Sequence, residues 1–126
     1  MNDIRARDYL LGKPEAYEDF PFGPQVQVYK VKKKMFATLT YARGVARINL
    51  KCDPQEALIL RDLFDAVIPG YHMNKTHWNT VILDGSIPAE EIMRMIDRSY
   101  TLVVKSMPKA ERLSLEVAYD RQALYK

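Results

Sequence analysis

Aspartate and glutamate are missing from Phe20 to Cys52, although the whole chain is nearly balanced, with 19 basic and 16 acidic residues and a net charge of +3. Cysteine occurs once, as Cys52, which excludes an internal disulfide framework and a multi-cysteine zinc site. Histidine occurs twice, as His72 and His77. Their odd spacing sends them to opposite faces of a strand, and it is a poor ligand spacing on a helix. No metal site and no cofactor are expected. Glycine is scarce, and Gly44, Gly70 and Gly85 each read as turn residues rather than as parts of a phosphate loop. No apolar run approaches the ~20 residues of a membrane span. The start, Met1-Asn2-Asp3-Ile4-Arg5, carries charge where a signal peptide has its apolar stretch. These absences predict a cytoplasmic, monomeric protein of one domain that does not engage membranes.

What is present is a globular composition. Hydrophobic residues make up 48% of the 126 and charged residues 28%, which argues against disorder. A chain of this length buries roughly two-thirds of the surface its unfolded form exposes, so it folds without staples.

Asn2 or Asp3 can cap a first helix that ends at Gly12 and Pro14. Lys13 to Pro24, with three prolines, reads as an irregular connection anchored by Tyr17, Phe20 and Phe22. Gln25–Val31, Met35–Tyr41 and Val45–Lys51 are rich in β-branched and aromatic residues and predict three strands. Lys32-Lys33-Lys34 and Ala42-Arg43-Gly44 supply the hairpin turns. In the third strand Ile48 and Leu50 share one face, and Arg47, Asn49 and Lys51 share the other.

Asp53-Pro54 opens a helix, by N-cap and first-turn proline. Its apolar stripe is Ala57, Leu60, Phe64 and Val67, widened by Ile59 and Leu63. Pro69-Gly70 ends it. Asn79–Leu83 predicts a strand. Ser86 and Pro88 start the longest helix, which runs to about Ser106 with Ile92, Ile96, Val103 and Met107 inward and Tyr100 beside them. Pro108–Lys126 predicts one last helix, with Leu113, Val117 and Leu124 at roughly helical spacing. A hairpin-connected block of strands with helices grouped around it is an α+β pattern. It implies an antiparallel sheet of about four to five strands with helices on one face, the other left open to water or a partner.

The acid-free stretch holds Lys30, Lys32, Lys33, Lys34, Arg43, Arg47 and Lys51. Such segregation makes a positive surface on a nearly neutral molecule. The same lysines at a sheet edge also block aggregation between sheets. Catalytic signals are weak. Ser86 and Ser99 lie in no nucleophile motif. Cys52 next to a helix start has a route to a lowered pKa, but a buried, inert thiol is the commoner case. The amino-terminal acids Asp3, Asp8, Glu15, Glu18 and Asp19 are interleaved with Arg5, Arg7 and Lys13, which favours surface ion pairing over a cation site. No enzymatic activity is expected.

Pro69 to Gly85 reads PGYHMNKTHWNTVILDG and holds both histidines and the only tryptophan. Asn74-Lys75-Thr76-His77-Trp78, followed by Val81-Ile82-Leu83-Asp84, resembles the hallmark of the MmcQ/YjbR family. Lys13-Pro14-Glu15-Ala16 with Pro21-Phe22, Lys34-Met35-Phe36-Ala37, Asn49-Leu50-Lys51 and Ser99-Tyr100 agree with it in order. The resemblance covers residues 5 to 115 of the single domain 1–126 and leaves the C-terminal extension outside. It implies a CyaY-like fold and a double-wing DNA-binding arrangement.

On that reading the wings are the hairpin tips, Lys32, Lys33 and Lys34 at one and Arg43 at the other, with Arg47 and Lys51 between them on duplex phosphates. Asn49 or Asn74 is a candidate for a base edge. The alternative is a protein- or small-ligand-binding module in which Tyr71, Asn74, Lys75, His77 and Trp78 line a pocket. A third reading is frataxin-like metal binding by the amino-terminal acids. Trp78 is expected in the core beside the long helix with its indole N–H bonded to backbone. Lys75 is expected to pair with Asp84 or Asp97, or to meet a ligand anion.

Overall fold

Asn2 Oδ1 accepts a hydrogen bond from the Arg5 N–H at 2.9 Å and starts α1 (Asp3–Leu11), which buries Ala6 and Leu10. The computed structural model describes all residues from Met1 to Lys126. Inside the expected irregular connection lies a short strand, β1 (Tyr17–Asp19). Three residues are too few to show alternation; the strand exists because Glu18 pairs with Tyr29 of the next one.

The three expected strands are β2 (Gln27–Val31), β3 (Lys34–Ala42) and β4 (Val45–Lys51). Both hairpins close with two residues at positive φ: Lys32 (49°) with Lys33 (67°), and Arg43 (54°) with Gly44 (78°). That geometry matches the right-handed twist of the flanking strands. Lys34 therefore already belongs to β3. Phe36 is an extra residue in β3, since Met35 faces Lys30 while Ala37 faces Tyr29. Ser99 repairs the bulge: its hydroxyl donates to the Phe36 carbonyl at 2.5 Å and accepts from the Lys51 N–H at 2.9 Å.

Asp53 caps α2 (Pro54–Leu63), its Oδ2 accepting from the Gln55 and Glu56 N–H groups. Ala57 is buried, and Leu60 and Phe64 pack on the core. Ile59 and Leu63 do not widen the stripe; both are more than 60% exposed, because α2 covers only the sheet's edge over the last two strands. Val67 belongs to β5 (Val67–Pro69), not to the helix. After β6 (Trp78–Ile82) comes α3 (Ala89–Lys105), whose Ile92, Ile96, Tyr100 and Val103 are buried, with Met107 just beyond its end. The expected last helix is two: α4 (Lys109–Ala118) and α5 (Arg121–Leu124). Tyr119 is extended, and Asp120 caps α5 by accepting from the Ala123 N–H at 2.9 Å. Leu124 enters the core as expected, but Leu115 joins it in place of Leu113 and Val117, which are exposed.

All six strands form one antiparallel sheet in the order β1-β2-β3-β4-β6-β5. Every helix lies on one face. The core joins Ala6, Leu10, Ile96, Tyr100, Leu115 and Leu124 to Tyr29, Ala37, Leu39, Ile48, Leu50 and Val81 of the sheet. No helix is long and apolar enough to cross a membrane.

Candidate nucleic-acid interface and cleft

The other face of the sheet has no helix on it. Strand alternation puts Val28, Thr38, Asn49, Thr80 and Ile68 there in one cross-strand row, opposite to Leu39 and Ile48. The row is tied laterally. Asn49 Nδ2 donates to Thr38 Oγ1 at 3.0 Å, the Thr80 hydroxyl donates to Asn49 Oδ1, and the Tyr71 N–H donates to Thr80 Oγ1 at 3.0 Å. Asn49 is buried, with both ends of its amide engaged, so it has no free edge for a base.

The strands of this face carry no acid between Phe20 and Cys52, and none again between Ala66 and Leu83. Asp19 in the edge strand β1 is the exception, and it is held by Lys30 at 2.8 Å. Of the cations at the first tip, Lys32 is tied down, its Nζ 3.1 Å from Glu15 Oε1 and 3.1 Å from Ser114 Oγ. Lys33 and Lys34 are exposed. Arg43 is exposed at the second tip, at the opposite end of β3. Nine extended residues separate the tips, or roughly 30 Å. Arg47 and Lys51 lie half-buried on β4 between them, Lys51 beside Trp78 across the strand pair.

A cleft of about 630 Å³ opens on this face. Thr38, Thr40, Arg47 and Asn49 form its floor. Phe22 and Val26 stand on one side, and Tyr71, His72 and Met73 on the other. The rings of Tyr71 and His72 lie 4.0 Å apart. The Arg47 guanidinium makes no hydrogen bond or ion pair within the protein, and its Nε is closed off from solvent.

Asn74, Lys75, His77 and Trp78 do not line this cleft; they build the loop that supplies its wall. Asn74 Oδ1 accepts from the Thr76 and His77 N–H groups, so its amide oxygen is spent on the loop's own backbone. Arg61 of α2 reaches the loop from beneath, its Nε donating to Asn79 Oδ1 at 2.7 Å and its terminal nitrogen to the Lys75 carbonyl. Lys75 pairs with neither Asp84 nor Asp97; its ammonium, exposed at the surface, meets the Gly70 carbonyl at 3.5 Å. Trp78 is half-buried at the start of β6 rather than in the core, because the register with Lys51 turns it away from the helices. Gly70 is needed for room rather than for φ. A Cβ there would stand 2.8 Å from Trp78 Cβ and 2.9 Å from the Trp78 carbonyl oxygen.

The YjbR family model matches residues 11–102, from the end of α1 through most of α3. The chain belongs to the YjbR family. It is 39% identical over 93 residues to YbdF of Escherichia coli O157:H7, covering 74% of this chain and 76% of that one. It is 34% identical over 104 residues to YjbR of Escherichia coli K12, covering 82% and 88%. The fold is similar to the crystal structure of Deinococcus radiodurans DR2400, with a TM-score of 0.84 at 37% identity over 91% of this chain and 88% of that one. A Pseudomonas syringae protein follows at 0.72 and 32%, covering 81% and 98%.

In this YjbR domain four of the five amino-terminal acids are individually occupied, and Asp8 is exposed. Asp3 accepts from the Tyr41 hydroxyl, Glu15 holds Lys32, and Asp19 holds Lys30. Glu18 holds Arg7 at 2.9 Å and the buried Tyr29 hydroxyl at 2.8 Å. No three His, Cys, Asp or Glu side chains stand together as a metal cage. Burial pushes the Cys52 thiol up to about 11, the opposite of an activated nucleophile. Of the residues expected around a pocket, Tyr71 lines the cleft; sequence reasoning missed Phe22, Thr38, Thr40, His72 and Met73 as its other parts, and Arg61 as the support of its loop. The alternation of Thr38 and Thr40 with Leu39 was the available signal for the floor. Nothing local announced the walls, which come from two loops distant in sequence.

Proposed function

We propose that this YjbR domain is a non-enzymatic DNA-binding module that lays its uncovered sheet face along a duplex. The observation that carries the reading is the charge of that face: cations along β4 and at both hairpin tips, with a single, already paired carboxylate at the edge. Such a face attracts a polyanion and holds no charge that repels one. The tips are the two wings. Their separation of roughly 30 Å is close to one turn of B-DNA, about 34 Å, so a duplex lying along β3 and β4 offers phosphate to both. Lys33 and Lys34 at one wing, Arg43 at the other and Lys51 between them neutralise phosphates and set orientation without reading sequence. Lys32 holds the first wing against Glu15 and Ser114. The domain acts as a monomer in the cytoplasm.

The test is binding to a labelled random duplex of about 20 base pairs, titrated with salt. With three to five phosphates neutralised, log K falls with log salt at a slope of about −3 to −4.5. The Lys33/Lys34/Arg43/Lys51→Gln variant should flatten that slope towards zero, while Lys32→Gln should leave it nearly unchanged. Absence of binding at low salt, or a slope that the fourfold variant does not alter, overturns the reading.

A further inference from the structure

We infer that the cleft on the uncovered sheet face is a binding site for a small hydrophobic carboxylate, with Arg47 as its anion partner. The size is right, since ligand pockets run from about 300 to 1,000 Å³. The chemistry follows from what the cleft lacks. A guanidinium keeps its charge and carries five N–H donors, and the great majority of buried polar atoms in proteins are bonded. Arg47 has no partner, and its Nε is shut off from water. The protein offers none nearby: the adjoining strands have no acid, and Asn49, Thr38 and Thr80 are used up on one another. Thr40, directly across the strand pair from Arg47, adds a hydroxyl with no partner of its own to the same floor.

The walls decide what accompanies the charge. Phe22, Val26, Met35, Tyr71 and Met73 present rings, hydrocarbon and thioethers. One guanidinium above an otherwise neutral floor balances one negative charge. A carboxylate meets it in a two-pronged hydrogen bond and leaves its apolar body against these walls. A phosphate monoester, approaching two charges, would leave one unbalanced among apolar side chains. The wall is held in advance, by the Gly70–Trp78 contact below it and by Arg61 on the Lys75 carbonyl. The two methionines give it some adaptability to ligand shape. This site stands independently of DNA binding, since it uses the interior of the face and none of Lys33, Lys34, Arg43 or Lys51.

The experiment is methyl NMR of the full chain with labelled methionines, the Met35 and Met73 signals assigned by Met35→Leu and Met73→Leu. The probes are octanoate, its neutral counterpart octanamide, and octyl phosphate. Octanoate should move both methyl signals with a Kd of about 1 mM or below. Octanamide and octyl phosphate should bind roughly tenfold more weakly, which corresponds to about 1.4 kcal/mol. Arg47→Gln should weaken octanoate about tenfold and leave octanamide unchanged, abolishing the difference between them. The proposal fails if octanoate moves neither signal, if octanamide binds as well as octanoate, if octyl phosphate binds more tightly, or if Arg47→Gln leaves octanoate binding intact. The octanoate–octanamide comparison uses the unmodified protein, so it decides the matter even if the variant does not fold.

Discussion

Lys13, just past the end of α1, forms an ion pair with Asp97 in the middle of α3. Both side chains are largely withdrawn from water, 6% and 14% exposed. The Tyr9 hydroxyl donates to the same carboxylate oxygen at 2.7 Å, and the ammonium lies 5.1 Å from the Tyr9 ring and 5.8 Å from the Tyr100 ring. The pair fastens the amino-terminal helix to the helix that backs the sheet. Burial outweighs the attraction of Asp97 and pulls the Lys13 ammonium below its usual value.

That balance sets the first prediction. Removing one partner strands the other charge, so Lys13→Met should destabilise the fold by roughly 3 kcal/mol. Lys13→Met with Asp97→Leu should recover much of that loss, because a well-packed apolar pair avoids desolvation altogether. Urea unfolding of the two single variants and the double variant measures the cycle. A double variant no more stable than the singles would show that the pair is worth more than its desolvation.

Gly70 gives the second. A Cβ at this position overlaps the backbone and Cβ of Trp78, neither of which is a flexible side-chain end. Gly70→Ala should cost about 1–3 kcal/mol by overpacking. It should also push Tyr71 and Met73 out of place. Trp78 is the only tryptophan, so its fluorescence reports the change directly. Unchanged emission with unchanged stability would contradict the close contact.

Acid sensitivity is the third. The Arg7 guanidinium, helped by the Tyr29 hydroxyl, holds the Glu18 carboxyl below its ordinary value of 4.5. A folded value below the unfolded one means that the contribution is complete above about pH 4.5 and disappears as pH falls through the lowered value. Arg7→Gln removes the main cause and should move the acid unfolding midpoint to higher pH. Circular dichroism across a pH series reads the shift, and coincident wild-type and variant curves would refute it.

Much of the fold was legible locally. Asn2 and Asp53 marked helix starts by their caps, Gly44 a hairpin turn, and β-branched runs the three central strands. What escaped was short or exceptional. β1 has no pattern of its own and exists only against β2. The break at Tyr119 is set by the Asp120 cap and by Leu124 reaching the core. Ile59 and Leu63 looked inward by periodicity, but α2 lies over the sheet's edge, where nothing covers them. For the site, the cations were visible as a charge segregation, whereas their distribution between tied Lys32, exposed Lys33 and cleft-lining Arg47 was not.

The sequence by itself determined the α+β class, the family and the separation of acids from the central strands. Caps, turns, side-chain alternation and charge are local properties, and a run of neighbouring residues carries them whole. Only the tertiary structure decided which sheet face stays bare, that Asn74 to Trp78 shape a loop, and that Phe22, Arg47 and Tyr71 meet around one cleft. Those are consequences of strand register and of helices all packing on one side, where residues far apart in the chain are brought together by burial.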